Sequence, residues 1–259
     1  MILEQMKGGS VKSRRPVTIH EVAKKAGVAV SSVSRVLSNH PDVSTDMKRK
    51  VEDAARELGY FPDPVAQSLR RGSSRLIGYV VRDFATPFFS DVIEGLETVL
   101  NKSGYTLLVT NGGGSQSQEL DRITMLKRRR VDGLLLSTFV DSTTKLRRAV
   151  ESFGKPVVLV DRDIADIDVG RSLFNHVSGV EAATLDLVNL GHTSIALVTG
   201  TPDVRPTRER IKGFRKGLQV NELAAERSFE VTGVFSAAFA RKETTSAMTS
   251  MSIQRPTAI

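Results

Sequence analysis

One glycine constrains how the first ordered part of this chain can fold. In TIHEVAKKAGVAVSSVSRVL, residues 18–37, Gly27 separates two short segments whose apolar residues recur at helical spacing. On the first segment Ile19, Val22, Ala23 and Ala26 share a face. Thr18 stands where an N-cap oxygen belongs, and Glu21 three residues later fits a capping box. Gly27 supplies the left-handed turn that side chains with a Cβ resist. The second segment buries Val33, Val36 and Leu37 and leaves Val30, Ser31, Ser34 and Arg35 on its other faces. Short polar groups and one arginine on an exposed helix suit base edges in a major groove, so the pattern reads as a helix-turn-helix. A plain helical hairpin inside an unrelated core has the same spacing, and the segment alone leaves both readings open.

Charge is unevenly distributed. The 259 residues carry a net charge of +8. Residues 1–75 hold 14 Lys and Arg against 8 Asp and Glu, a balance of +6, and the remainder hold 23 against 21. Basic charge gathered in the first third fits phosphate binding there and a different task elsewhere. Cysteine is absent, so no disulfide framework argues for export. There is no apolar run long enough to cross a bilayer, and the first residues lack a signal peptide's apolar core, so the expected location is cytoplasmic.

Residues 1–17 read as a disordered basic arm, rich in Gly, Ser, Lys and Arg. Residues 18–61 are expected to form a three-helix unit, its third helix starting at the N-cap Ser44 and stopping at Gly59. Residues 62–74 form a linker in which Pro64 opens a short helix, Val65–Arg71, ended by Gly72. From residue 75 the pattern changes to short apolar runs alternating with amphipathic segments. Strands are predicted at Leu76–Val81, Tyr105–Thr110, Gly133–Ser137, Val157–Val160, Ile195–Thr199 and Phe229–Val234. Helices are predicted at Phe88–Lys102, Gln116–Arg129, Thr143–Phe153, Val177–Leu190, Glu209–Leu218 and Ala237–Met251. Such alternation indicates a parallel sheet covered on both faces.

Thr18–Leu37 resembles the DNA-binding head of the LacI/GalR family of bacterial transcription regulators. The resemblance runs on through VSTDMKRKVEDAARELGYFPDPVAQSLRRG, then RLIGYVV, PFFSDVIEGLE, RRVDGLLL, PVVLVDR, LGHTSIALVTG and RPTAI, in family order. It implies an α plus α/β architecture: a helix-turn-helix head and hinge helix, then a periplasmic-binding-protein-like sensor over residues 75–259. It also implies that this sensor's second lobe continues past Ile259, so that a product ending there would lack stability and effector response.

For DNA, the resemblance implies base reading by Val30, Ser31 and Arg35, and phosphate contacts by Thr18, Ser32 and Ser34. In the hinge it implies that Ala66 and Leu69 enter the minor groove, Leu69 as the wedge between base pairs. For the effector it implies Phe88, Phe89 and Arg210, although both phenylalanines can begin a buried helix and for Phe89 the two readings are even; Asp161, at a strand's carboxyl end, is a further and weaker pocket candidate. Departures from the family pattern are Ala29 for a serine, Asp63 for an asparagine, Arg82 and Thr86 for a proline and an asparagine, and Phe174 where aspartate is frequent. Ala29 removes a hydroxyl, which predicts weaker DNA affinity.

The implied partners are a near-palindromic double-stranded operator, a second copy of the chain as a homodimer, and a small effector, a sugar. No cofactor or metal is implied, and no enzyme. Gly112–Gly114 lacks the ending of a phosphate loop, Lys127–Arg130 ends a helix, and His20, His40, His176 and His192 have no metal spacing. A sugar-binding transport protein with the same sensor fold is the alternative, opposed by the basic head.

Overall fold

In the computed structural model, residues 15, 17–38, 40–61, 63, 68, 72–141, 143–249 and 255–259 are described. They divide into two compact units, 1–74 and 75–259. In the first unit, α1 (Ile19–Ala26), α2 (Val30–Leu37) and α3 (Thr45–Leu58) pack around Val22, Val33, Val36, Val51, Ala54 and Ala55. Gly27 turns the chain between α1 and α2 at φ 67°. The hydroxyl of Ser44 accepts from Met47 N, 3.3 Å, and Gly59 ends α3 in the left-handed conformation. At Thr18 the Glu21 carboxylate accepts from the Thr18 amide (2.6 Å) and from its hydroxyl (2.9 Å), which holds the Glu21 pKa below its ordinary value. Ala29, the N-cap of α2, offers no side-chain bond to the first turn. Ala66 and Leu69 of the predicted hinge helix lie outside the described residues.

The second unit is built from β1 (Leu76–Val81), α4 (Pro87–Lys102), β2 (Thr106–Asn111), α5 (Gln116–Arg128), β3 (Gly133–Leu136), α6 (Thr144–Glu151), β4 (Val157–Val160) and β5 (Gly170–Ser172). The chain continues through α7 (His176–Asn189), β6 (Ala196–Thr199), α8 (Arg205–Leu218), α9 (Glu222–Arg227), β7 (Phe229–Thr232) and α10 (Ala237–Thr249). The first sheet is parallel in the order β2-β1-β3-β4-β5, with β1 and β3 in register at Tyr79 and Leu135. The second pairs β6 with β7, also parallel, and Ala258 bridges to Ile195 beside β6.

Apolar runs make this sheet because both of its faces are buried. On one, Val80, Leu134, Leu136 and Leu159 meet Ile123 and Leu126 of α5 and Leu146 of α6. On the other, Tyr79, Val81 and Val160 meet Phe89 of α4. Each such fully buried aliphatic side chain contributes about 1.5–3 kcal/mol relative to exposure. Two elements escape the sequence pattern. β5 is three exposed residues recruited at the edge by β4, and α9 is a single capped stretch of six. Helix α8 also begins four residues before the expected Glu209, because Pro206 starts a helix well at its first turn.

Helices α7 and α8 approach closely at Gly213, where an added Cβ would overlap the Val177 carbonyl oxygen and lie 3.1 Å from Glu181 N. Gly213→Ala gains up to about 1 kcal/mol of helix propensity. Overpacking against a fixed backbone costs about 1–3 kcal/mol and wins. The expected result is a net loss of about 1–2 kcal/mol, read as a lower urea midpoint with unchanged slope.

Candidate functional site

On α2, Ser31 and Arg35 are exposed on the side opposite the buried Val33 and Val36. Ser32 and Ser34 are half-buried. Val30 also packs partly against the core of the head, which reduces the surface it has for an apolar base contact. Thr18 is half-buried beside the start of α1. These residues therefore flank one solvent-facing helix with a single unburied cation near its end.

In the second unit a cavity of about 230 Å³ collects Phe88, Phe89, Asp161 and Arg210 in one wall set. Arg82, Thr86, Arg162, His176, Thr207 and Phe235 also face it. It lies at the carboxyl ends of β1 and β4 and at the starts of α4, α7 and α8, the crevice where parallel α/β sheets bind ligands. Phe89 both lines the cavity and belongs to the core beneath it, so the pocket and buried-helix readings describe the same residue. Phe88 meets Phe89 and Phe174 edge-on, with ring centres 5.2 Å apart in each case.

Asp161 follows β4 in the left-handed region, φ 54°, a strained backbone that aims its carboxylate inward. His176 Nε2 lies 3.0 and 2.9 Å from its two oxygens, and Arg205 Nη1 lies 3.5 Å away. Arg162 is 5% exposed; its Nε donates to Thr138 O and its Nη1 to Asp161 O, each at 2.7 Å. Behind it Asp141 accepts from the Arg205 amide and from Arg208 Nη2, 3.2 Å. Burial lowers the Arg162 pKa and raises that of Asp141, their mutual attraction notwithstanding. Arg82 pairs with Asp83 at 3.2 Å and stacks 4.8 Å over Phe235. Arg162, His176 and Phe235 were not anticipated. Arg162 adjoins Asp161 in PVVLVDR, but a buried arginine has no sequence signature; Phe235 comes from the loop between β7 and α10.

Two family models match this chain. Residues 18–63 match bacterial regulatory proteins of the lacI family, and residues 74–259 match periplasmic binding proteins and the sugar-binding domain of the LacI family. The chain belongs to the LacI family. Among its relatives, the HTH-type transcriptional repressor PurR of Vibrio atlanticus (strain LGP32) is 34% identical over 219 residues, 84% of this chain and 65% of the relative. The ribose operon repressor of Escherichia coli (strain K12) is 33% identical, with 84% of this chain and 66% of the relative covered. The solved lac repressor bound to ONPG in its repressed state superposes with a TM-score of 0.76 at 28% identity, covering 89% of this chain and 70% of that one. The chain thus spans 65% of the length of the first of these curated relatives. No described helix is long and apolar enough to cross a membrane.

Proposed function

We propose that this chain is a sequence-specific DNA-binding transcription regulator, a repressor, governed by a small sugar-like effector held in the cavity of residues 75–259. The observation that carries the reading is the pairing, in one LacI-family chain, of an exposed Ser31–Arg35 helix face with a cavity lined by aromatic rings and charged groups. A related structure is described as a lac repressor dimer bound to operator and an anti-inducer, with 27% identity and a TM-score of 0.75. By that likeness the operator is near-palindromic, the acting form is a homodimer, and the site of action is the cytoplasm. Arg35 donates to guanine, Ser31 and part of Val30 read neighbouring bases, and Thr18, Ser32 and Ser34 hold phosphates. Ala66 and Leu69 serve the minor groove. A transport protein accounts for the cavity but leaves the head without a task.

Selection of bound sequences from a random duplex pool, followed by gel-shift titration of the full chain, tests this. The expected result is a salt-sensitive complex with one enriched, near-palindromic site. Arg35→Ala is expected to cost about 1–3 kcal/mol at one base position per half-site and to leave non-specific binding nearly unchanged. Failure to enrich any site would sink the regulator reading.

A further inference from the structure

At the amino-terminal end of the first sheet, away from the cavity, positive charge collects without an answer. Residues 122–131, RITMLKRRRV, hold five cations and no carboxylate. Helix α5 ends at Arg128, and Arg129 and Arg130 lead from it toward β3. Lys127 to Arg130 are all exposed. Lys127 Nζ donates to the carbonyl oxygen of Ser152, at the end of α6. Arg128, Arg129 and Arg130 have no side-chain hydrogen bond or ion pair among the described residues. By contrast, α3 pairs Asp46 with Arg49 and Lys50, and α8 pairs Arg215 with Glu230 and Lys216 with Glu181. Cations in a last helical turn complement the helix dipole, which accounts for Lys127 and Arg128. It does not account for Arg130. That residue stands past the helix end at φ 55°, a left-handed place where glycine or asparagine is at ease.

The run lies where the linker enters the unit. The Arg75 amide donates to Asp132 Oδ2 at 2.9 Å, two residues beyond Arg130. The Arg75 guanidinium donates to Ser103 O at 3.2 Å, next to the exposed Lys102. Lys102 and Arg130 therefore flank the first residue of the unit, and the nearby Asp132 is already engaged by Arg75. No exposed large apolar side chain occurs among the described residues between 100 and 172. This end thus lacks the apolar anchor on which a protein partner would bind, and offers charge alone. A polyanion binds through charge alone.

We propose that this end of the 75–259 unit holds phosphates of the duplex DNA flanking the site that the head reads, through Arg128, Arg129 and Arg130. The proposal rests on the regulator reading of the head. Residues 62–74 join the two units, and thirteen residues of chain span at most about 45 Å. A tether of that length keeps the three arginines at an effective concentration on the order of millimolar beside any duplex the head has bound. Contacts too weak to hold DNA by themselves then add to its affinity. Guanidiniums suit phosphate oxygens, and such contacts carry no sequence information.

The test is gel-shift titration of the full chain on the site enriched from the random pool. That site is presented as a core-length duplex and with about 20 base pairs of arbitrary sequence on each side, roughly 70 Å of added duplex per side. Wild type is expected to bind the flanked duplex about tenfold more tightly at about 0.1 M salt, with a salt slope steeper by about 2–3. A triple variant, Arg128→Gln, Arg129→Gln and Arg130→Asn, should lose both the advantage and the extra slope while binding the core duplex as wild type does. Asparagine is chosen because it tolerates the left-handed position. Lysine at all three positions should keep most of the advantage. Equal affinity and slope on the two duplexes with wild type would overturn the proposal and leave the reading of the head intact. An advantage that survives in the triple variant would also overturn it, and would assign the effect to another basic segment such as residues 1–17. Equal weakening on both duplexes in the variant would place the three arginines outside the flanks and overturn it as well. No sequence-selective binding to either duplex would overturn the reading of the head and the proposal together.

Discussion

Arg162→Met is expected to destabilise the 75–259 unit by about 3–5 kcal/mol, the usual cost of removing one member of a buried ion pair. Folded domains are stable by only about 5–15 kcal/mol, so the loss is a large share. The mechanism is what the side chain leaves behind. The carbonyl oxygens of Thr138 and Asp161 each lose a 2.7 Å donor in a dry environment. Asp141, 1% exposed, keeps Arg208 and the Arg205 amide but loses its only fully buried counter-charge. Methionine replaces the volume and none of the donors. A double variant, Arg162→Met with Asp141→Leu, removes the stranded carboxylate and should cost less than the two single variants added together. Recovery will be partial, because Asp141 also accepts from the first turn of α8. Hydrogen exchange of β3 and β4 amides in the full chain reads this. Additive costs would show that the pair does not act as a unit.

That network also marks where sequence reading stops. Val80, Leu134, Leu136 and Leu159 were readable as buried strand positions because hydrophobic runs obey local rules. Gly27 and Ser44 were readable because capping is equally local. Phe88, Phe89 and Arg210 follow from motif resemblance and Asp161 from its place at a strand's carboxyl end, and the structure brings all four to one cavity. Asp141 and Glu119 carried no signal. Their environment is made by residues 20 or more positions away, Phe139 for Glu119 and Arg205 for Asp141. Burial of a charge is a tertiary fact, and on a helical wheel Glu119 is simply one more polar residue. The short strand β5 failed to register for a related reason: Gly170–Ser172 is extended because β4 offers an edge, not because its residues prefer a sheet.

Stability of the same unit is expected to fall by about 3 kcal/mol as pH rises from 4.5 to 7, through Glu119 alone. Glu119 sits on α5 at 1% exposure. One carboxyl oxygen accepts from Phe139 N at 2.9 Å, and the other has no partner among the described residues. Burial pushes its pKa up to about 7 from the ordinary 4.5, Asp141 adds to the rise, and the Phe139 amide and Arg162 oppose it. Below pH 4.5 the group is protonated in both states and contributes no penalty. Between 4.5 and 7 the unfolded chain releases its proton while the folded chain holds it, so each step in pH favours unfolding. Above about 7 both states are ionised and the penalty is constant. The raised pKa of Asp141 acts in the same direction, so wild type alone does not isolate the effect. Glu119→Gln does. Glutamine retains the acceptor for Phe139 N but leaves a buried amide donor unmade, at about 1–3 kcal/mol, so its absolute stability at pH 8 is a poor readout. The slope is insensitive to that constant cost. Exchange free energies of β1 and β3 amides, compared between wild type and Glu119→Gln at pH 4.5, 6 and 7.5, should converge or cross as pH rises. Parallel curves would mean that Glu119 is ionised throughout, and that Arg162 outweighs its burial.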